Sequence, residues 1–568
     1  MTPVSQSQID DYTNNGWWGE ESVLDILYQN AANTPEHTAL VDPYNKEQLV
    51  GLGAQPRQLT HRELSQNVDN LALNLKDLGI GHDDVILIQL PNIVESLLTL
   101  FAAARIGAIA SPLAMQARAH ELNYAVEMTN ARAIVTVSSF HDYDHMDLMR
   151  RVQEKNTSLE HIIIVGPEAP EAALHFERLI EQRADAASRQ DELKAGQSGP
   201  NEVFTLCWTS GTEAEPKGVP RTHNQWISIA RVVVEGTQLF NGAAIHGTFP
   251  VINMAGIGGL LIPWVMTGGK FVLHHPFDLE SFFPQLIKEE IYYTLMPPAL
   301  LDTLAKSQRV NALKQSKVEV VASGSTPLAP WMVKFFQEEC NIGIVNFFAS
   351  NEGVALFSIP KLFPNPEDRA TYFPRFGGEE VHFDLPHQVI GGMKSRLIKP
   401  ESGEVITETG EIGELGFSGP TMFSGYWKRP ELNEKAFDSD GFYRSGDLFS
   451  IEGDRKEKLL FQGRLKDLII RGGYNISPEE VEIFISKHPA VKEVAVAGYP
   501  DERLGQRVGV AIVPFEGQEI TMETLKQYLE ENGLAKYKWP EKLKIVETLP
   551  RNPLQKVLKR EVKKLLTN

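Results

Sequence analysis

Short β-branched runs alternate with helical patterns along most of this chain, and that alternation limits the folds open to it. The runs Val85–Leu90, Ala133–Val137, His161–Val165, Val203–Trp208 and Val318–Ala322 have strand length, and amphipathic stretches such as Glu63–Leu78 and Ile93–Ile106 lie between them. Strands separated by helix-length segments pair through crossovers rather than tight hairpins, which predicts α/β units and a largely parallel sheet. The chain has 568 residues, more than one hydrophobic core supports, so at least two domains are expected.

The pattern changes near Arg464. Ser477-Pro478-Glu479-Glu480 opens a helix over 478–487, with Ser477 as cap, Pro478 at the first helical position and Glu480 completing a capping box. Strands Val491–Gly498 and Val508–Pro514, a helix around Met522–Glu531 and a basic helix near Val557–Leu566 follow. These make an α+β unit of roughly a hundred residues, a normal domain size. The boundary is placed at Leu465–Lys466, giving a large domain 1–464 and a small domain 465–568.

The net charge of -19 disfavours a nucleic-acid groove or an anionic membrane surface as the main partner. Small anions remain open, because backbone N–H groups and a few lysines suffice to hold them. The two cysteines, Cys207 and Cys340, lie far apart, so neither a disulfide framework nor a structural zinc site is expected. The N-terminus is polar and acidic, without the basic start and apolar run of a signal peptide, and a cytoplasmic protein is expected. Residues Val251–Gly269 are uncharged and long enough to span a bilayer, but they contain Asn253, Pro263 and five glycines. A buried segment of the α/β domain is the better reading.

The sharpest local signal is the loop Thr209-Ser210-Gly211-Thr212-Glu213-Ala214-Glu215-Pro216-Lys217-Gly218, after the apolar strand Val203–Trp208 and before an expected helix. Hydroxyls, a glycine that permits close backbone approach, and a lysine suit a phosphate chain. It is not a Walker loop, since the second glycine before Lys217 is missing and no Ser or Thr follows the lysine. An ordinary strand-to-helix turn fits the same residues. Further on, Tyr443–Asp447 and Gly463–Asp467 bracket an expected hairpin, and Asp447 could accept two ribose hydroxyls or be a simple turn aspartate. Gly472-Gly473-Tyr474-Asn475 is either a functional loop or a linking turn, and Lys556 could belong to a solvated basic face with Lys559, Lys563 and Lys564.

The order of these segments is more telling than any one of them. TSGTEAEPKG, SGSTPL, FFASNE, GELGFSGPTMFSGYW, YRSGD, GRLKDLIIRGGYNISPEEVE and LPRNPLQK together resemble the class I adenylate-forming superfamily of acyl-CoA synthetases, luciferases and peptide-synthetase adenylation domains. The resemblance runs from about Tyr12 to Leu566. The segment YTNNGWWGEESVLDIL and the stretches from SDGFYRSGD to LAKYKWPEKLKIVETLP look most like short- and medium-chain acyl-CoA synthetases.

The resemblance implies an α/β fold, with a large N-terminal domain of mixed sheets and a small mobile α+β C-terminal domain. It implies that ATP and a carboxylate give an acyl-adenylate and pyrophosphate, and that a thiol then displaces AMP. By matched position, Thr209, Ser210, Gly211, Thr212 and Lys217 should hold the β- and γ-phosphates, and Glu352 with Thr212 should serve Mg²⁺. Phe348 should lie beside adenine with Gly324, Ser325 and Thr326 on its other side, and Asn346, Phe347, Ala349, Ser350 and Asn351 complete the nucleotide segment. Asp447 should bind ribose with Arg464 in support, and Lys466 is the matched hinge. Lys556 is the matched catalytic lysine. Asn253, Gly256 and Ser323 match the acyl pocket, and Gly472, Gly473 and Tyr474 the pantetheine tunnel of coenzyme A.

Several positions depart from the family pattern. Glu213 and Ala214 replace Thr and Gly, and Phe348-Ala349 replaces Tyr-Gly. Asn351 replaces the Thr that touches the α-phosphate, and an amide can still donate there. Leu554-Gln555-Lys556 replaces Ser-Gly-Lys, and Asn253 stands where a histidine or aromatic gate is frequent. The small residues of 253–260 suit either a roomy acyl pocket or close helix packing. Coenzyme A is the expected acceptor, since no carrier segment follows Lys556; a separate carrier protein is the alternative. A luciferase-type oxygenase is a further rival. A non-catalytic nucleotide-binding regulator is disfavoured by the intact Lys217, Glu352, Asp447, Arg464 and Lys556, and a serine hydrolase by the lack of a GxSxG elbow. No nucleic acid and no stable membrane span are expected, and a homodimer is allowed.

Overall fold

The structure, a computed structural model, describes all residues except 52, 142, 167–172, 210–214, 379–380, 473, 552–556 and 568, and the side chains at 355 and 475. The chain forms two compact units: Met1–Phe376 with His382–Lys394 and Ser418–Phe437, and Gly377–Val381 with Ser395–Phe417 and Asp438–Asn568.

The first unit carries two large sheets. One runs in the order Gly353–Ser358, Gly343–Ser350, Val320–Gly324, Tyr293–Leu295, Ile245–Gly247, Phe271–Leu273, Thr38–Val41, Gln58–Thr60, parallel except at its two edge strands. The other runs Gly218–Thr222, Val203–Trp208, Ile109–Pro112, Val85–Gln89, Ala133–Val137, His161–Val165, Leu174–His175, parallel except for the first pair. The α/β fold with mixed sheets is the one expected.

The stretch Ile93–Ile106, expected to be amphipathic, is instead the helix Val94–Arg105, buried at every position. A helix apolar nearly all round belongs in the core. Its one carboxylate, Glu95, is buried too and sits 2.8 Å from the Lys46 ammonium, which also lies 2.6 Å from Asp42. Burial of such charges is tolerated only because they are paired and hydrogen-bonded.

Residues Val251–Gly269 form a broken helical stretch inside the first unit. It comprises Met254–Gly256, a π-helical turn Ile257–Leu261, and Ile262–Thr267, followed by strand Phe271–Leu273. Among the described residues no helix is long and apolar enough to cross a membrane. The glycines here serve close packing. A Cβ at Gly256 would lie 2.0 Å from the Pro250 carbonyl oxygen, and one at Gly258 would lie 2.9 Å from Trp226, Ile229 and Met254 side chains.

The second unit holds an antiparallel pair, Tyr443–Glu452 with Lys458–Arg464, extended by Ile412–Ser418, Lys394–Ile398 and Val405–Ile406. It also holds a sheet built on Val491–Asp501 and Gly505–Pro514, flanked by Ile469–Arg471, Tyr474–Ile476 and Lys542–Ile545. Alternation along these strands buries both faces. Val496, Val508, Val510 and Ile512 pack with helices Pro478–Ile485 and Met522–Glu531, while Ala495, Ala497, Ala511 and Val513 pack with the terminal helix Lys559–Thr567. Leu465–Lys466 falls inside this unit, in a short 3₁₀ turn Leu465–Asp467 between its two sheets. Ser477 caps the helix Pro478–Ile485 as expected, accepting from the Glu480 N–H. The capping box is absent, because the Glu480 carboxylate turns to the Lys538 ammonium at 2.5 and 2.7 Å. A full ionic partner outcompetes one backbone N–H.

Candidate active site

The segment that was expected to lead from the 209–218 loop into a helix is a strand. Val203–Trp208 and Gly218–Thr222 are antiparallel neighbours, with Trp208 opposite Gly218, so the loop is the tip of a hairpin. The helix begins only at His223, where Thr222 and Gln225 form a capping box. At the hairpin mouth the Thr209 N–H donates to the Lys217 carbonyl at 3.0 Å, and the Lys217 N–H donates to Thr209 Oγ1 at 3.3 Å. Ser210, Gly211, Thr212, Glu213 and Ala214 lie outside the described residues.

Beside this hairpin stand Glu352 and Tyr426. The Tyr426 hydroxyl donates to Glu352 Oε1 at 2.9 Å, and the Lys217 ammonium lies 5.0 Å from the centre of the Tyr426 ring. The tyrosine therefore touches an acid at its polar tip and a lysine over its face. Glu352 is 8% exposed. Its backbone carbonyl accepts from the Phe423 N–H at 2.9 Å, and its own N–H donates to Ser350 Oγ at 3.2 Å. Among the described residues no three His, Cys, Asp or Glu side chains are grouped to hold a metal. A lone oriented carboxylate nevertheless suits Mg²⁺, which takes one or two protein carboxylates and completes its octahedron with substrate phosphates and water. There the ion would offset charge developing on the phosphates.

Behind this group lies Arg221, fully buried on the second hairpin strand. Its Nε and Nη2 donate to the Asn351 carbonyl at 2.9 and 2.7 Å, and its Nη1 donates to the Thr421 carbonyl at 2.7 Å. Burial pushes its pKa down to about 9, opposed by the nearby Cys207 and Glu352. Arg221 and Tyr426 were both missed by sequence reasoning. No sequence signal marked Arg221, since its segment was expected to be helical; Tyr426 lay in a segment quoted for its resemblance but was given no role.

The adjacent sheet edge places the other expected residues. Strands Val320–Gly324 and Gly343–Ser350 are parallel, with Ser323 opposite Asn346 and Gly324 opposite Phe347. A Cβ at Gly324 would lie 2.4 Å from the Phe347 carbonyl oxygen, and Ser325 turns the chain with φ +72°. Only glycine fits such an approach, and the turn leaves Ser325 and Thr326 exposed at the carboxyl ends of the strands, where open α/β sheets bind ligands. Phe348 is half-buried and meets Phe373 edge-on at 6.1 Å, and Ala349 is exposed. Asn346 and Ser323 are buried and turned inward. The Asn346 amide donates to the Arg369 and Ala370 carbonyls at 3.4 and 3.3 Å, and the Ser323 hydroxyl donates to the Met296 carbonyl at 2.8 Å. Asn253 caps the helix Met254–Gly256, its Oδ1 accepting from the Gly256 N–H at 3.1 Å.

In the second unit the expected hairpin is present, and Asp447 lies directly opposite Arg464. Arg464 Nε is 3.0 Å from Asp447 Oδ1. Gly446, at φ +70°, makes the turn that presents Asp447, and its N–H donates to Glu414 Oε1 at 3.0 Å. Gly472, at φ +56°, donates its N–H to the Leu504 carbonyl at 2.8 Å, and Tyr474 is exposed with its ring 4.8 Å from that of Tyr537. Lys466 lies in the 3₁₀ turn, while Gly473 and Lys556 fall outside the described residues.

Comparison with known proteins identifies the family. Residues 27–427 match the model of the AMP-binding enzyme family, and residues 480–556 match its C-terminal domain, so the chain belongs to the AMP-binding enzymes. It is 29% identical to a 2,3-dihydroxybenzoate-AMP ligase of Bacillus subtilis (strain 168), over all of this chain and 98% of that one. It is also 29% identical to a 2-hydroxy-7-methoxy-5-methyl-1-naphthoate–CoA ligase of Streptomyces carzinostaticus, over 97% of this chain and 94% of that one. Among solved structures, an anthranilate CoA ligase in complex with anthranoyl-AMP superposes with a TM-score of 0.79 at 20% identity, covering 96% of this chain and 98% of that one. The fold is therefore that of the adenylate-forming enzymes, and the chain is an ATP-dependent, acid-activating ligase of that family.

Proposed function

We propose that the enzyme adenylates an aromatic carboxylic acid and transfers the acyl group to a pantetheine thiol, in the first place that of coenzyme A. A carboxylate is a poor electrophile because its leaving group would be oxide, and adenylation supplies a better one. The observation that carries this reading is the set of Glu352, Tyr426 and Lys217 at the mouth of the 209–218 hairpin. Charge developing on the phosphates during in-line displacement needs oriented cations there. Glu352 would hold Mg²⁺, with Thr212 beside it, while Lys217 and the loop hold the β- and γ-phosphates. Phe348 and the Gly324–Thr326 turn would flank adenine, and Asp447 with Arg464 would bind ribose. Lys556 would act on the carboxylate and α-phosphate, and Lys466 would be the hinge between a domain 1–464 and a domain 465–568. Asn253, Gly256 and Ser323 would belong to the acyl pocket. Gly472, Gly473 and Tyr474 would line the thiol path.

The relatives' names support an aromatic acid. They also favour a second reading for the acceptor, since one relative is called an AMP ligase and another a CoA ligase. In that reading the thiol belongs to the prosthetic group of a separate carrier protein.

ATP–pyrophosphate exchange over a panel of aromatic, straight, branched and alicyclic acids tests the first step. Exchange strongest with an aromatic acid is expected, and exchange with none would end the proposal. Product analysis with coenzyme A should then show acyl-CoA; accumulation of acyl-AMP alone would favour the carrier reading.

A further inference from the structure

Asn351 occupies the position whose usual residue is expected to touch the α-phosphate, yet its side chain is already engaged. Oδ1 accepts from the Met254 N–H at 2.9 Å, and Nδ2 donates to the Trp208 carbonyl at 3.0 Å. Its backbone carbonyl is held by two N–H groups of Arg221, so the direction in which the side chain leaves the chain is fixed. Met254 follows Asn253 at the start of the broken helix, and Trp208 is the last strand residue before the 209–218 loop. One amide thus links the two segments that the proposed function assigns to acid and to triphosphate.

We propose that Asn351 is a positioning residue which fixes the Asn253–Met254 turn to the root of the phosphate loop, so that acid and ATP affinities are coupled through it. This rests on the proposed site assignments for its functional consequence, but the link itself is a property of the ligand-free protein. No other residue type does both jobs at this length. Alanine makes neither bond, threonine is too short to span both partners, and aspartate keeps the acceptor for Met254 but puts a carboxylate against the Trp208 carbonyl. Loss of the acceptor leaves the N–H of the buried Met254 unpaired, a larger penalty than losing an exposed bond.

Hydrogen–deuterium exchange on the ligand-free full chain tests the link directly, using Asn351→Ala and Asn351→Asp. Asn351→Ala should speed exchange in residues 250–257 and at the hairpin mouth, residues 208–209 and 215–218, by roughly fivefold, what one neutral hydrogen bond contributes. Asn351→Asp should keep the protection of 250–257 and lose that of 208–209 and 215–218. Unchanged exchange in both segments of Asn351→Ala would overturn the proposal, and this readout decides it even if the wild-type chain activates no acid. Where pyrophosphate exchange is measurable, Asn351→Ala should raise the KM for the acid and for ATP together, each about fivefold or more on the same basis. A rise in the ATP value alone, with ligand-free exchange unaltered, would mean that Asn351 contacts the nucleotide and does not brace the site.

Discussion

Asp447 and Arg464 face each other across an antiparallel strand pair, with the guanidinium Nε 3.0 Å from one carboxylate oxygen. The arginine orients the carboxylate before any ligand arrives, and a carboxylate retains further acceptor sites for hydroxyl donors. Asp447→Ala should therefore weaken ATP binding by about 10- to 100-fold, the scale of hydrogen bonds to a charged group. Calorimetric titration with ATP checks this, and an unchanged affinity would remove the ribose assignment.

Tyr426→Phe keeps the ring under Lys217 and removes only the hydroxyl that holds Glu352. If Glu352 holds Mg²⁺, freeing its carboxylate should cost about 10- to 100-fold in metal affinity or activity, as loss of an outer-shell partner commonly does. The Mg²⁺ concentration needed for half-maximal pyrophosphate exchange should rise, while the acid KM stays near wild type. A variant with unaltered metal dependence would show that the hydroxyl has no part in placing the ion.

Lys556→Ala should abolish acyl-AMP formation and largely spare thioester formation from supplied acyl-AMP. The two half-reactions, assayed separately, give the answer. Equal loss in both would contradict the role proposed for this lysine.

His145 and His223, both buried, and His275, half-buried, contribute to the acid side of the first unit's stability profile. Burial depresses the pKa of His145 to about 4, that of His223 to about 3 and that of His275 to about 4, against an ordinary value of 6.5. His223 is held neutral by geometry: Nδ1 accepts from the Val23 N–H at 3.2 Å, and Nε2 lies 2.8 Å from Ser198 Oγ. Between about pH 6.5 and 4 the unfolded chain takes up protons that the folded chain refuses, so stability is full above pH 6.5 and falls as the pH drops through that window. Each unit of depression corresponds to about 1.4 kcal/mol. The first thermal transition should move down between pH 7.5 and 5, and His223→Asn should show a shallower dependence. A pH-independent transition would contradict this assignment.

The fold class was legible because strand-length runs and helix-length separators repeat along the chain, and that spacing survives in the parallel sheets. The 209–218 loop was legible as a phosphate-loop candidate, but not its setting. Gly218 and Pro220 make a poor strand by propensity, and the segment pairs because Val203–Trp208 supplies a largely buried neighbour. Tertiary context also decides the internal roles of Ser323 and Asn346, whose polar groups meet carbonyls far away in sequence. The two glycines at 256 and 258 were ambiguous for a related reason: only the positions of Pro250 and Trp226 reveal that there is no room for a methyl group.

Among the described residues Arg221 donates only to carbonyl oxygens, which carry no formal charge. Its guanidinium is therefore solvated by peptide dipoles rather than neutralised by a counter-ion, and its field reaches outward toward Glu352. Peptide groups screen less than water does, so the influence of this cation extends beyond its own contacts. The enclosed arginine consequently lends positive potential to the hairpin that carries it, and shares that potential with whatever anion approaches from the solvent side.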